Sequence, residues 1–132
     1  MASCGAEEAR LRVEQAEAYL IAAGLATGEA GGAWGTVAAG NAVLAGIAAS
    51  DAICCLRIGE RSRGEDHHEA LALLARATPD GSQLAQALER LLGIKDQSHY
   101  GVELVSPARA RSALRQATRL LTRAKEELER GR

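Results

Sequence analysis

Apolar residues recur along most of this chain at three- and four-residue steps, the period of an α-helix, and no two-residue strand alternation persists anywhere. From Glu7 to Ala26 the segment is rich in Ala, Glu, Leu and Arg. Leu11, Gln15, Ala18, Ala22 and Leu25 form its repeating stripe, which predicts an amphipathic helix stopped at Gly28. The run Gly28-Glu29-Ala30-Gly31-Gly32 reads as a turn. A second helix is predicted from Ala33 to about Arg57, where Ala38, Ala42, Ala45, Ala49 and Ala52 alternate steps of four and three. Such a stripe of small side chains lets another backbone approach closely, whether from the first helix or from a second copy of the chain.

Gly59 and Gly64 punctuate the loop that follows, and Asp66 with Glu69 three residues on has the capping-box pattern of a helix running to about Ala77. Ser62 with Glu65 offers an alternative start. Pro79-Asp80-Gly81 is a turn, Ser82 to about Ile94 a fourth helix, and Gly101 to Ser106 a connection. Ser106-Pro107 opens a last helix to about Arg130, with Pro at the first helical position, where its missing N–H costs nothing. The pattern therefore predicts an all-α protein: one domain over residues 1–132, an up-and-down antiparallel bundle of about five helices.

Composition narrows this picture. With no Phe, one Trp and two Tyr, the core has to be built from Leu, Ala, Val and Ile, which suits helix-on-helix packing. Thr36 to Leu56 is long enough to suggest a membrane span, but Asn41, Ser50 and Asp51 interrupt it and most of its apolar residues are Ala, so a buried core helix is expected and no membrane partner. Cys4, Cys54 and Cys55 show no disulfide-framework spacing, and the first ten residues lack a basic stretch followed by an apolar run; both point to a reducing cytoplasm. The net charge of -1 argues against nonspecific coating of nucleic acid, yet it is unevenly spread. Residues 1–105 hold 8 Lys+Arg and 14 Asp+Glu, whereas residues 106–132 hold 8 basic and 3 acidic residues.

Candidate chemistry concentrates in Arg61-Ser62-Arg63-Gly64-Glu65-Asp66-His67-His68. With Asp66 as N-cap, His67 and His68 open a helix where free N–H groups and the positive dipole end favour an anion, and Arg61 and Arg63 add charge. A histidine base and arginines for phosphate suit RNA cleavage without a metal. The structural alternative is a core-edge His67 beside Leu71 and Leu74, a solvated His68, and solvated loop arginines. Asp51, in an apolar helix, needs a partner; Arg57, Arg61 or His67 would make it an orienting group, and a plain structural ion pair is the alternative. Arg111, Arg115, Arg119 and Arg123 recur every four residues and could track phosphates or pair with acidic neighbours. Lys95, His99 and Tyr100 could border the same groove, with Tyr100 otherwise a packing residue.

Metal and cofactor readings find little support. Adjacent Cys54-Cys55 and His67-His68 lack the spacer of zinc sites, Glu65-x-x-His68 has no second copy, and Gly31-Gly32-Ala33-Trp34-Gly35-Thr36 lacks the lysine of a phosphate-binding loop. No metal and no cofactor are expected.

The Ala-rich second helix ending Ser50-Asp51-Ala52-Ile53-Cys54, the stretch from Gly59 to Ala70, Leu91 to Tyr100 and the Arg-rich last helix together resemble the HEPN superfamily of small helical bundles, in particular a stand-alone actinobacterial branch. The likeness covers roughly residues 10–128. It implies a HEPN-like bundle, a homodimer, and a metal-independent endoribonuclease whose arginine and histidine, with four to six residues between them, come from both subunits. Arg61 with His67 or His68, and Arg63 with His68, meet that spacing; Arg57 does not. Ser62 and Gly64 stand where toxin members carry a polar companion after the arginine. Other members of the superfamily are noncatalytic bundles that bind nucleic acid or a protein partner, which keeps that alternative open.

Overall fold

The computed structural model describes residues 1–29, 32–64, 66–95 and 104–131 in full and the backbone of 96–100. Gly31 of the predicted turn, Glu65 of the alternative cap and of the Glu-x-x-His pattern, residues 101–103 of the predicted connection, and the side chains of His99 and Tyr100 lie outside the described residues.

Five helices make up the described chain: α1 (Ala6–Thr27), α2 (Trp34–Ile58), α3 (His67–Ala77), α4 (Gly81–Tyr100) and α5 (Pro107–Arg130). α2 is the centre, touching each of the other four. Ala38, Ala42, Ala45, Ala49 and Ala52 of the predicted stripe are all fully buried. By length and hydropathy α2 is able to cross a membrane, but 72% of its most apolar window is buried inside the bundle, as a core helix requires. The caps follow local chemistry. Asp66 accepts hydrogen bonds from the backbone N–H of His68 (2.9 Å) and Glu69 (3.3 Å), and Ser106 caps α5 through the N–H of Arg109 at 3.2 Å. Gly59 ends α2 in the left-handed region at φ 70°, a conformation that suits glycine. α4 runs six residues past the predicted Ile94, because nothing between Lys95 and Tyr100 breaks a helix.

Three further features depart from what the sequence predicts. The first is the rotation of α1. Ala9, Val13, Ala16, Ala23 and Ala26 face the core, while Leu11, Gln15, Ala18, Ala22 and Leu25 are exposed, Leu25 at 72% and neighbouring Ile21 at 66%. Close approach to the small surface of α2 selects α1's small residues, and its larger aliphatic side chains turn outward. The second is a short antiparallel pairing of β1 (Ala2–Ser3) with β2 (Glu60–Arg61), in register Ala2 with Arg61 and Ser3 with Glu60. Two residues per strand leave no alternation to detect.

The third is a disulfide between Cys4 and Cys55, with Cα atoms 5.2 Å apart and 51 residues of separation. Cysteine spacing did not reveal it, because the pairing depends on how the N-terminal segment folds back over the end of α2. The bridge also removes the cysteine-based argument for a reducing compartment. Closing a loop of this length stabilises the fold by about 4 kcal/mol in the chain-entropy account, relative to the reduced chain.

The turn into α4 is tight. A Cβ on Gly81 would lie 2.6 Å from the carbonyl O of Leu74 and closer still to that of Ala75. Both are backbone atoms that cannot step aside. Gly81→Ala is therefore expected to lower unfolding free energy by about 2 kcal/mol in urea titrations. Gly93→Ala, on an open face of α4 with nothing within 4 Å, is expected to raise it by about 0.5 kcal/mol.

Candidate functional site

A cavity of about 230 Å³ lies where α2, α3 and α4 meet the loop after β2. Its apolar wall is made by Ile47 and Cys54 of α2, Leu73 of α3, and Leu88 and Leu92 of α4. Arg12, Asp51, Arg61, Arg63, Asp66, His67 and Lys95 supply its charged lining and its histidine. Asp51, Arg61, Arg63, His67 and Lys95, scattered over 45 positions of sequence, thus share one depression. His68 does not: it is exposed, about 100° further round the helix, and is absent from the lining.

Asp51 is only 8% exposed and pairs with Arg12 of α1 through Nη2 and Oδ2. Arg12 is the partner the sequence reading did not name. It sits 39 positions away, and only the antiparallel docking of α1 on α2 brings the two together. Burial pushes the Asp51 carboxyl above the usual carboxylate range; the Arg12 guanidinium, and more weakly Arg61, pull against that rise. The Nε of Arg12 is itself buried without a hydrogen-bond acceptor among the described residues.

Of the other expected partners of Asp51, Arg57 and Arg61 are committed elsewhere. Arg57 donates to Glu127 at 3.1 Å. Arg61 forms an ion pair with Glu8 through Nε, and its Nη1 donates to the Ser62 carbonyl at 3.2 Å. Arg63, on the exposed lip, donates from Nε to the carbonyl of Met1 at 3.2 Å. Asp66, which caps α3, also borders the cavity, so the first turn of that helix faces it with His67 half-buried.

The α5 arginines do not form one phosphate track. Arg111 and Arg115 are exposed, and Arg119 donates to Gln83 at 3.2 Å. Arg123 is bound into the fold, donating to Asp80 at 3.0 Å and to Glu127 at 2.6 Å. Hydrogen bonds from Arg123 and Thr78 hold the Asp80 carboxyl down at about 2. Burial alone would raise the Glu127 carboxyl, but hydrogen bonds from Arg123 and Arg57 outweigh it and hold the group below its ordinary value. Arg123 is therefore a structural residue, which shortens the predicted face to Arg111, Arg115 and Arg119.

One donor set has the shape of a metal site. Ligand atoms of Cys4, Glu8 and Cys55 lie within 4.8 Å of one another, but the two sulfurs are joined as a disulfide and Glu8 already pairs with Arg61. As folded, this cluster offers no thiolate to a cation. Comparison of the chain with protein-family models and with curated proteins found no match.

The raised Asp51 carboxyl has a signed consequence. A group whose folded pKa lies above its unfolded value contributes stability below the unfolded pKa and loses it as pH rises through the folded one. Asp51→Asn cannot ionise, so the variant should gain in unfolding free energy relative to the parent as pH rises from about 4 to 8, in paired urea titrations. A constant gap across that range would show that Asp51 is not perturbed.

Proposed function

We propose that the α2–α3 cavity takes a phosphodiester of single-stranded RNA and cleaves it without a metal, in the manner of a HEPN endoribonuclease. The observation that carries this reading is the meeting of Arg63, His67, Lys95 and the Arg12–Asp51 pair at one opening. His67 would take the proton from the 2′-OH, while Arg63 and Lys95 hold the charge that builds on phosphate oxygen. Arg61, tied to Glu8, frames the wall, and the Asp51 carboxylate keeps the Arg12 guanidinium turned toward the opening. Exposed Arg111, Arg115 and Arg119 are the further contacts for an extended strand.

A homodimer belongs to this proposal. The exposed stripe of Leu11, Ile21 and Leu25 on α1 is supporting evidence, with Trp34, Val37 and Leu44 exposed on α2. The second reading, a noncatalytic bundle that binds nucleic acid or a protein, is favoured by one observation: Arg61 of the cavity loop is already engaged by Glu8.

Incubation with single-stranded RNA and a chelator separates the two. Cleavage leaving cyclic-phosphate ends is expected, reduced about 100-fold in His67→Ala and within about twofold of the parent in His68→Ala. Equal rates for the parent and His67→Ala would remove the enzyme reading, and binding without cleavage would select the noncatalytic one. Sedimentation equilibrium should give a dimer for the parent and a monomer for Ile21→Glu/Leu25→Glu, both with the same helical circular dichroism.

A further inference from the structure

The N-terminal segment is fastened to the loop that forms one wall of the cavity. Ala2 and Ser3 pair with Arg61 and Glu60, the Cys4 N–H donates to the Gly59 carbonyl at 2.9 Å, and the Met1 carbonyl accepts from Arg63 at 3.2 Å. A two-residue ladder with a few flanking hydrogen bonds is marginal by itself in water. The Cys4–Cys55 bridge supplies what these contacts lack, since it anchors the segment to a buried position on α2. The cavity's loop wall, from Arg61 through Gly64, is held by that anchorage together with the Arg61–Glu8 ion pair.

We propose that the Cys4–Cys55 disulfide is a redox latch: oxidised, it holds the N-terminal strand on β2 and keeps the Arg61–Gly64 wall of the cavity in shape; reduced, it lets strand and wall go slack while the helices stay packed. Its effect on ligands rests on the reading of the cavity given above. Cys4 is half-buried whereas Cys55 is 4% exposed, so an external thiolate attacks the Cys4 sulfur. The S–S bond breaks, a mixed disulfide forms on Cys4, and Cys55 leaves as a thiolate that takes a proton. A second thiolate then attacks the reagent's sulfur, freeing Cys4 and releasing the oxidised reagent. Two thiols thus supply the two electrons and two protons of the reduction.

Hydrogen exchange on the whole chain, with and without dithiothreitol, tests the latch. Reduction should add two titratable thiols and speed exchange of the Cys4 amide and of the 60–64 amides by about tenfold or more, with α2 and α5 still protected. Cys4→Ser should match the reduced parent and ignore dithiothreitol. Titration with inorganic phosphate, followed on the His67 ring signal, should show affinity about fivefold weaker after reduction. Two results overturn the latch: Cys4 amide protection unchanged in the reduced chain, or protection lost through every helix together, which would make the bridge a staple of the whole fold. If oxidised protein shows no phosphate response, the cavity reading fails, and the exchange data still decide the latch.

Discussion

Close packing against α2 is the constraint from which the other features descend. Eight of its 14 buried residues are alanine or glycine, so a neighbouring helix gains contact there only by coming near enough for backbone and Cβ atoms to interdigitate. That requirement turns the alanines of α1 inward and leaves Ile21 and Leu25 in solvent. It also fixes the rotation of α2 itself. Successive residues point about 100° apart, so Asp51, Cys54 and Cys55 are directed to Arg12, the cavity and the N-terminal segment respectively.

Charged groups are sorted by the same packing. Where helices close over an acidic side chain, an arginine is placed on it: Arg12 of α1 on Asp51, and on Glu127 both Arg57 of α2 and Arg123, one turn back on the same helix. Loss of one partner in such a pair strands a charge in poorly solvated surroundings, so the architecture fixes where these arginines lie. Charge at the open edge of the cavity is different. Arg63 and His67 sit where water reaches them, on a loop and a first helical turn, the kind of setting that commonly carries binding groups on a rigid scaffold.

Much of this architecture was legible beforehand. Helix boundaries followed from Gly28, Asp66, Ser106 and Pro107, because caps and breakers act over a few residues and leave local marks. The grouping of Asp51, Arg61, Arg63 and His67 was visible as well, since they lie on consecutive elements joined by a short loop, whereas Lys95, read with the α5 arginines, joins them only in the fold. What escaped were the long-range pairings. Arg12 with Asp51, Arg61 with Glu8 and Cys4 with Cys55 are separated by 39 to 53 positions, and each depends on how α1 and the segment before it lie against α2 and β2. The inward face of α1 was misjudged for a related reason: the usual preference for burying Leu and Ile gave way to the fit between small surfaces.

Adjacent cysteines at the end of α2 pose a choice of partner for Cys4, and the fold settles it by chemistry as well as by direction. Burial, with Asp51 nearby, pushes the Cys54 thiol up to about 12, so almost none of it is thiolate near neutrality. Thiol–disulfide exchange needs a thiolate as the attacking group. Cys54 is therefore a bystander that cannot scramble the bridge beside it, and the native isomer, once closed, is proofed against its own neighbour.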